Sequence, residues 1–289
     1  MQFGETVRFA QGVMRAVKRG NLFPAAARRP FVAAPGGSRP AAKPPSASTE
    51  IGWFGVSEHV FPIAGLTEPI RVLHLTDVHL RRLDEWTVRL AERVSRIECD
   101  LVAITGDVLM RGWKNDAADV FLSNLPPARL GRYAVMGNWE YWSGAPAEFW
   151  SEVLARHGVQ LLHDRSVDLG ALQLVGTDDW LAGRPDLRRA FAHVDPTRPT
   201  MALSHSPIVL PEIARPGLAL VLSGHSHAGQ VRIPGLGAVF LPKGCGKYVY
   251  GWYQSGPTWM YVGAGIGWSV APIRWRAPPE LAMIQLVPG

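Results

Sequence analysis

Two histidines separated by one residue, His225 and His227, stand in the stretch Leu222-Ser-Gly-His-Ser-His-Ala-Gly-Gln230. An apolar run over 218–222 leads into them and reads as a buried strand. Gly224 ends that strand and Gly229 breaks the chain again. Side chains at i and i+2 share one face of a strand, and on a tight turn they can aim at neighbouring points. Both imidazoles can therefore reach one small volume, which suits two metal ions better than one. Taken alone, the fragment reads equally well as two surface histidines. The other strand ends separate the two readings.

The elements that must position such a site follow in order. The run over 70–76 is a strand ending at Asp77-Val-His79. Asp84 can cap a helix whose Trp86, Leu90, Val94 and Ile97 form an apolar stripe. A second strand over 100–105 ends at Gly106-Asp107, and a helix near 115–124 follows. A third strand over 133–136 ends at Gly137-Asn138, and a helix around 145–157 carries Phe149, Trp150, Val153 and Leu154. This βαβαβα order argues for parallel pairing with right-handed crossovers. Beyond it, 165–169 and 172–176 read as a hairpin, and a strand over 200–204 ends at His205. From 229 to 287 the pattern is short strands with Gly and Pro turns, and nothing repeats at a fixed period. The expected fold is α/β: one domain over 51–289, with two packed mixed sheets and helices outside.

In open α/β sheets, ligands collect at the carboxyl ends of strands. One Asp at such an end is routine turn chemistry. Here five strands end in residues able to bind metal: Asp77 and His79, Asp107, Asn138, His205, and His225 with His227. Carboxylate, amide and imidazole donors without thiolate suit Mn, Fe, Zn or, less well, Mg. The ordered pattern D-x-H, G-D, G-N, H, G-H-x-H resembles the calcineurin-like metallophosphoesterases, from about residue 70 to the end. The stretch from Gly263-Ala-Gly-Ile-Gly267 through Arg274 to Pro279-Glu-Leu281, with Gly229-Gln230, is similar to the bacterial YkuE/YaeI-like phosphodiesterase branch. That branch is related to the UDP-2,3-diacylglucosamine hydrolases of lipid A synthesis.

The resemblance implies a four-layer αββα sandwich and two divalent metal ions, Mn2+ favoured, with Fe, Zn or Mg as alternatives. Asp77, His79, Asp107 and His227 would hold one ion; Asp107, Asn138, His205 and His225 would hold the other. Asp107 would then bridge ions about 3.5–4 Å apart. Asp107, Asn138 and His205 are the implied catalytic residues. The implied reaction is hydrolysis of a phosphodiester or pyrophosphate bond by metal-activated water, in a small-molecule or lipid phosphoester such as UDP-2,3-diacylglucosamine.

One departure from the family pattern bears on the chemistry. The family usually reads Gly-Asn-His-Asp or Gly-Asn-His-Glu, whereas this chain has Gly137-Asn138-Trp139-Glu140. The family histidine sits beside the leaving group; tryptophan offers only an indole N–H, with no useful acidity. Trp139, Glu140 and Trp142 are the expected substrate contacts. Aromatics there, and Trp113 after the Asp107 loop, suit a sugar, a base or an acyl chain, with ordinary ring packing as the alternative. Asp178-Asp179-Trp180 reads as a solvated turn rather than a carboxylate pair backing the site. His74, inside a strand, reads as a core histidine, and His59, His157, His163 and His193 show no ligand spacing. Gly263-x-Gly265-x-Gly267 is no dinucleotide fingerprint, because no helix pattern follows. Ser204-His205-Ser206 forms no nucleophile elbow, which disfavours a serine hydrolase.

Composition sets the outer bounds. A chain of 289 residues, 47% hydrophobic, can bury one large core or two modest ones. Residues 1–50 carry eight Lys or Arg against Glu5 and Glu50, which accounts for the whole formal charge of +6. The body is neutral, so nucleic acid is not an expected partner. Residues 1–50 read as a basic, Pro/Ala-rich flexible tail. Within it Phe9, Val13, Met14 and Val17 recur at helical spacing among Arg8, Arg15, Lys18 and Arg19, a pattern able to lie on an anionic membrane. No apolar run of about 18 residues and no secretory core occurs. The expected location is cytoplasmic or peripheral to the inner face of a membrane. Cys99 and Cys245 make no disulfide framework, and Cys99 reads as a buried filler. The rival functions are a catalytically weakened binding or scaffold module, supported by Trp139, and a nucleotide phosphodiesterase.

Overall fold

The structure, a computed structural model, describes residues 38–39, 54–269 and 272–289. Apart from the pair Ser38–Arg39, the tail expected over 1–50 and its amphipathic segment lie outside the described residues. In chain order, β1 (Ser38–Arg39) lies antiparallel to β2 (Gly55–Ile63), and β3 (Ile70–Leu75) leads into α1 (Glu85–Ser95). Then come β4 (Leu101–Ile104), α2 (Asn115–Ser123), β5 (Arg132–Ala134), α3 (Asn138–Trp142), α4 (Ala147–Arg156) and β6 (Gln160–Leu161). The run β3-β4-β5-β6 is parallel throughout, as the βαβαβα pattern required. Asp84 caps α1 as expected, its Oδ1 accepting from the Thr87 backbone N–H at 3.0 Å. The short helix α3 was not foreseen. It begins at Asn138 itself, so the region after β5 holds two helices.

The second half builds another sheet. Its parts are β7 (Arg165–Asp168), β8 (Gln173–Gly176), α5 (Leu187–Ala190), β9 (Thr200–Leu203), α6 (Leu210–Ile213) and β10 (Leu218–Ser223). A separate hairpin follows, β11 (Arg232–Ile233) and β12 (Gly237–Ala238), then β13 (Gly251–Ser255), β14 (Thr258–Val262) and β15 (Glu280–Pro288). The six-stranded sheet has the order β13-β14-β10-β9-β8-β7. The last strand, β15, returns to the first sheet and inserts between β2, to which it is parallel, and β3, to which it is antiparallel.

Alternation along the strands sorts side chains into layers, because successive residues face opposite sides of a sheet. On β4, Val102 and Ile104 pack under Leu90, Val94, Phe121 and Trp150 of the helices. Leu101 and Ala103 point the other way, toward Leu174, Met201, Leu203, Leu220 and Tyr261 of the second sheet. On the far side, Val175, Ala202, Val221 and Met260 meet Leu210 and Ile213. Both sheets are therefore covered on both faces, which is why their central strands read as continuous apolar runs. The result is α/β with the layers helix, sheet, sheet, helix. Cys99 is half-buried rather than the buried filler expected. Among the described residues, no helix is long and apolar enough to cross a membrane.

Trp150 is fully buried in the helix-facing layer. Trp150→Ala should cost about 3–5 kcal/mol of stability, read as a lowered urea midpoint at unchanged slope. A midpoint that does not move would mean that this layer is not packed as described.

Candidate metal centre

The ends of β3, β4, β5, β9 and β10 meet at one edge between the sheets. Their loops bond to one another through the backbone: Asp77 N–H donates to the Gly106 carbonyl at 3.2 Å and His79 N–H to the Asp107 carbonyl at 3.0 Å. His225 N–H donates to Asp77 Oδ2 at 2.9 Å. Such contact requires residues without side chains. A Cβ on Gly137 would strike the Asp107 carboxylate, and one on Gly224 would strike Thr76 and Asp77. The backbone is also held in an uncommon state. Asp77, His79, Asp107, His225 and His227 all have φ between 51° and 70°, in the left-handed region. Residues other than glycine adopt that region at a cost of about 1–3 kcal/mol each, and such strain concentrates at functional sites.

The side chains converge in two groups. Asp77, His79 and His227 form one; Asp107, His205 and His225 form the other, and either could hold a metal ion. In the first, His79 Nε2 and His227 Nε2 are 3.0 Å apart, and His227 Nε2 is 3.3 Å from Asp77 Oδ1. In the second, His205 Nε2 lies 3.0 Å from His225 Nδ1, 3.1 Å from Asn138 Oδ1 and 3.2 Å from Asp107 Oδ2. The same Asp107 oxygen is 3.8 Å from His79 Nε2, so it faces both groups. Its other oxygen accepts the Trp139 backbone N–H at 2.8 Å. All seven expected ligands are brought together and all are buried.

The donor set fits a cation. His205 Nδ1–H donates to the Thr105 carbonyl at 2.7 Å, and His225 Nε2–H donates to the Lys243 carbonyl. These bonds fix the tautomers, so His205 Nε2 and His225 Nδ1 present lone pairs. Those lone pairs converge with the Asp107 and Asn138 oxygens, four acceptors with no donor between them. Ligands about 2.1 Å from an ion sit about 3 Å apart at octahedral angles, which is the spacing observed. Electrostatics agree. Burial pushes His79 and His227 well below the ordinary histidine range and His225 down to about 3, so these rings are neutral. Burial also raises Asp77, and it lifts Asp107 to about 7 against the pull of His205. Burial opposes charge on His205 too, but Asp107 beside it raises that ring well above its usual value. Without a cation, protons occupy this acceptor cluster; a divalent ion can replace them.

The structure also decides several other sequence expectations. Glu140, expected to touch substrate, is fully buried instead. Its oxygens accept the backbone N–H groups of Asp107, Val108, Leu109 and Gly137 at 2.7–3.1 Å. It positions the Asp107 loop and the Asn138 turn, with no oxygen left over for a ligand. Asp178-Asp179 is not a solvated turn: both carboxylates are buried. Asp179 accepts from Ser206 Oγ–H at 2.8 Å and Asp178 from Tyr141 O–H at 2.7 Å. His163, which showed no ligand spacing, lies 3.3 Å from Asp178. Trp113 packs on Phe149 and Trp150, so it belongs to the core's edge. Trp139 stands edge-on to His79, ring centroids 5.7 Å apart, and against the exposed Trp142 at 5.5 Å. His74 is the core histidine expected, bonded to Thr105 Oγ1 at 2.8 Å.

Sequence reasoning also missed Arg274 and Glu280, although both stood in the quoted carboxyl-terminal pattern. Buried Arg274 donates to the carbonyls of Ala264, Gly267 and Ala277, and its Nη2 lies 3.3 Å from His227 Nδ1. Glu280 accepts from Tyr250 O–H, Tyr261 O–H and Ala264 N–H. Together they fix the 263–267 loop, whose Gly267 N–H donates to the Asp77 carbonyl at 2.7 Å. A buried cation held largely by backbone carbonyls carries no sequence signature beyond its residue type.

A sequence model of the calcineurin-like phosphoesterases matches residues 70–229, more than half of the chain. The chain belongs to the calcineurin-like phosphoesterase family. The chain is 31% identical over 232 residues to a metallophosphoesterase of Helicobacter pylori J99, an alignment covering 77% of this chain and 61% of that one. It is 26% identical to metallophosphoesterase YkuE of Bacillus subtilis, over 75% of this chain and 78% of YkuE. It is 25% identical to the UDP-2,3-diacylglucosamine pyrophosphatase LpxG of Chlamydia muridarum, over 75% of this chain and 83% of LpxG. The chain thus spans about six-tenths of the Helicobacter relative's length.

Two outcomes follow for the candidate metal centre. Asp107 holds its proton up to about 7 without a cation, against 3.8 for an ordinary carboxyl. That proton stabilises the metal-free fold below the lower value, and the contribution is lost as pH rises through the higher one. Metal binding releases the proton, so the gain in melting temperature on adding Mn2+ should grow from about pH 5 to pH 8. A gain that is flat across this range contradicts the assignment. Separately, Glu140→Gln should destabilise the protein by about 3 kcal/mol and lower metal occupancy, although it removes no expected ligand. Full occupancy in a folded variant would show that the clamp is dispensable.

Proposed function

We propose that this chain is a binuclear metal-dependent phosphoesterase that hydrolyses a phosphodiester or pyrophosphate bond in a small-molecule or lipid substrate. The observation carrying this reading is the single Asp107 oxygen facing both groups of buried imidazoles. Two divalent ions held there, Mn2+ favoured and Fe, Zn or Mg as alternatives, would supply an ionised water at neutral pH and neutralise phosphoryl oxygens. Asp77, His79, Asp107 and His227 are the proposed ligands of one ion, and Asp107, Asn138, His205 and His225 those of the other. Asn138, at the start of α3, offers its carbonyl oxygen while Glu140 holds the turn behind it. The bond to phosphorus forms opposite the ester oxygen that leaves, and the products are a phosphomonoester and an alcohol or a second phosphate.

The leaving oxygen is the point at which this chain differs from its family. Trp139 replaces the family's histidine and stands edge-on to His79. Its indole N–H can donate a hydrogen bond but cannot give up a proton near neutrality. Substrates whose leaving group departs as a stable anion suit such a site, and a pyrophosphate bond is one. The half-buried Trp139 and exposed Trp142 offer ring faces to a sugar, a base or an acyl chain. The LpxG relative supports a lipid-linked nucleotide such as UDP-2,3-diacylglucosamine as the substrate.

Manganese-loaded protein should hydrolyse an activated aryl phosphodiester measurably and an alkyl phosphomonoester slowly. General acid catalysis is typically worth about 10²–10⁴-fold, so Trp139→His should speed the alkyl ester by up to about that factor and change the aryl diester little. An equal change on both classes would remove the leaving-group account. Asp107→Asn should lower turnover on the aryl diester by at least about 100-fold, and retained turnover would place the reaction elsewhere.

A further inference from the structure

The hairpin of β11 and β12 belongs to neither large sheet. It leaves the chain directly after the His227–Gly229 turn and closes with the Val239 N–H donating to the Val231 carbonyl at 3.1 Å. Its flank pairs with Trp275: Arg232 N–H donates to the Trp275 carbonyl, and Trp275 N–H to the Gln230 carbonyl. Nine described large hydrophobic residues are exposed, and four are here: Ile233 (40%), Leu236 (55%), Phe240 (62%) and Trp275 (39%). A two-stranded hairpin is marginal by itself; Leu236 stands in its turn while Phe240 and Trp275 lie beside its base, and exposed apolar side chains gain nothing from water.

The charge along this segment of the chain has one sign. Between Glu212 and Glu280 the chain holds no Asp or Glu, yet it holds Arg215, Arg232, Lys243, Lys247, Arg274 and Arg276. Lys243, Lys247 and Arg276 are exposed and Arg232 is partly so. Phe240 lies three residues before Lys243, and Trp275 is flanked by Arg274 and Arg276. Exposed aliphatic and aromatic side chains beside cations, with no carboxylate in the segment, match the two layers of a bilayer surface: apolar groups enter below the headgroups, and cations meet anionic lipid.

We propose that this hairpin is a lipid-docking element that inserts Leu236 and Phe240 into an anionic bilayer, with Lys243, Lys247 and Arg276 against its headgroups. Docking through it would bring the edge that carries the metal centre to the membrane, since His225 is bonded to Lys243 and the hairpin follows His227. The element is distinct from the basic tail over 1–50, and it does not depend on the metal centre being catalytic.

The test is co-sedimentation of the full chain with vesicles of phosphatidylcholine alone and of phosphatidylcholine with 30% phosphatidylglycerol. The expected result is binding to the anionic vesicles that weakens with salt. The double variant Leu236→Asp, Phe240→Asp should bind at least about 10-fold more weakly, from the apolar area withdrawn. Lys243→Glu with Lys247→Glu should weaken anionic binding alone. Phe149→Ser, which removes an exposed ring from α4, should change nothing. Leu236→Trp should bind more tightly at an unchanged melting temperature and without pelleting in the absence of vesicles. Binding that is unchanged in the double aspartate variant overturns the proposal and assigns any lipid contact to another part of the chain. So does wild-type self-association that the double variant abolishes in protein that binds no vesicle, since a second copy would then cover the tip.

Discussion

The site depends on one carboxylate placed between two groups of buried imidazoles. Asp107 has one oxygen tied to the Trp139 backbone and the other directed at both His79 and His205. Neither arrangement is available to a free aspartate at a strand end. It requires the left-handed turn at Asp107, the missing side chain of Gly137, and the buried Glu140 that gathers four N–H groups beneath the two loops. A charge buried with four donors is stable where an unpaired one is not. Glu140 therefore sets the position of Asp107 without sharing in its chemistry.

The same logic extends outward. Buried Arg274 and Glu280 organise the 263–267 loop, which bonds to the Asp77 carbonyl. Asp179 holds Ser206 beside His205, and the Thr105 and Lys243 carbonyls choose the tautomers of His205 and His225. These contacts come from strands far apart in sequence. They meet because the parallel sheets place successive strand ends at one edge. The strained backbone at five of the seven converging residues is tolerated because this shell over-determines it.

Much of this was legible beforehand. Apolar runs and helical spacing located β3, β4, β5, α1, α2 and α4 but not β2, β6 or α3, and Asp84 announced its helix by a cap that the structure contains. The residues that converge were legible because each follows an apolar strand, and glycine punctuates several of those ends. Three kinds of information were not legible. The insertion of β15 between β2 and β3 is a long-range pairing that no local pattern encodes. The roles of Glu140, Asp178 and Asp179 depend on burial, and an acidic residue in a turn looks the same whether it faces water or a ring of backbone donors. Leu236 and Phe240, in and beside the hairpin, read in sequence as loop; only their exposure distinguishes them.

The claim on which the account rests is that one carboxylate bridges two metal ions. Electron paramagnetic resonance of protein loaded with two equivalents of Mn2+ tests it directly, because ions about 3.5–4 Å apart sharing a carboxylate are magnetically coupled. The account predicts the multiline spectrum of an exchange-coupled pair in the wild type, collapsing to isolated-ion signals in Asp107→Asn. A six-line spectrum of independent ions in the fully loaded wild-type protein would contradict it.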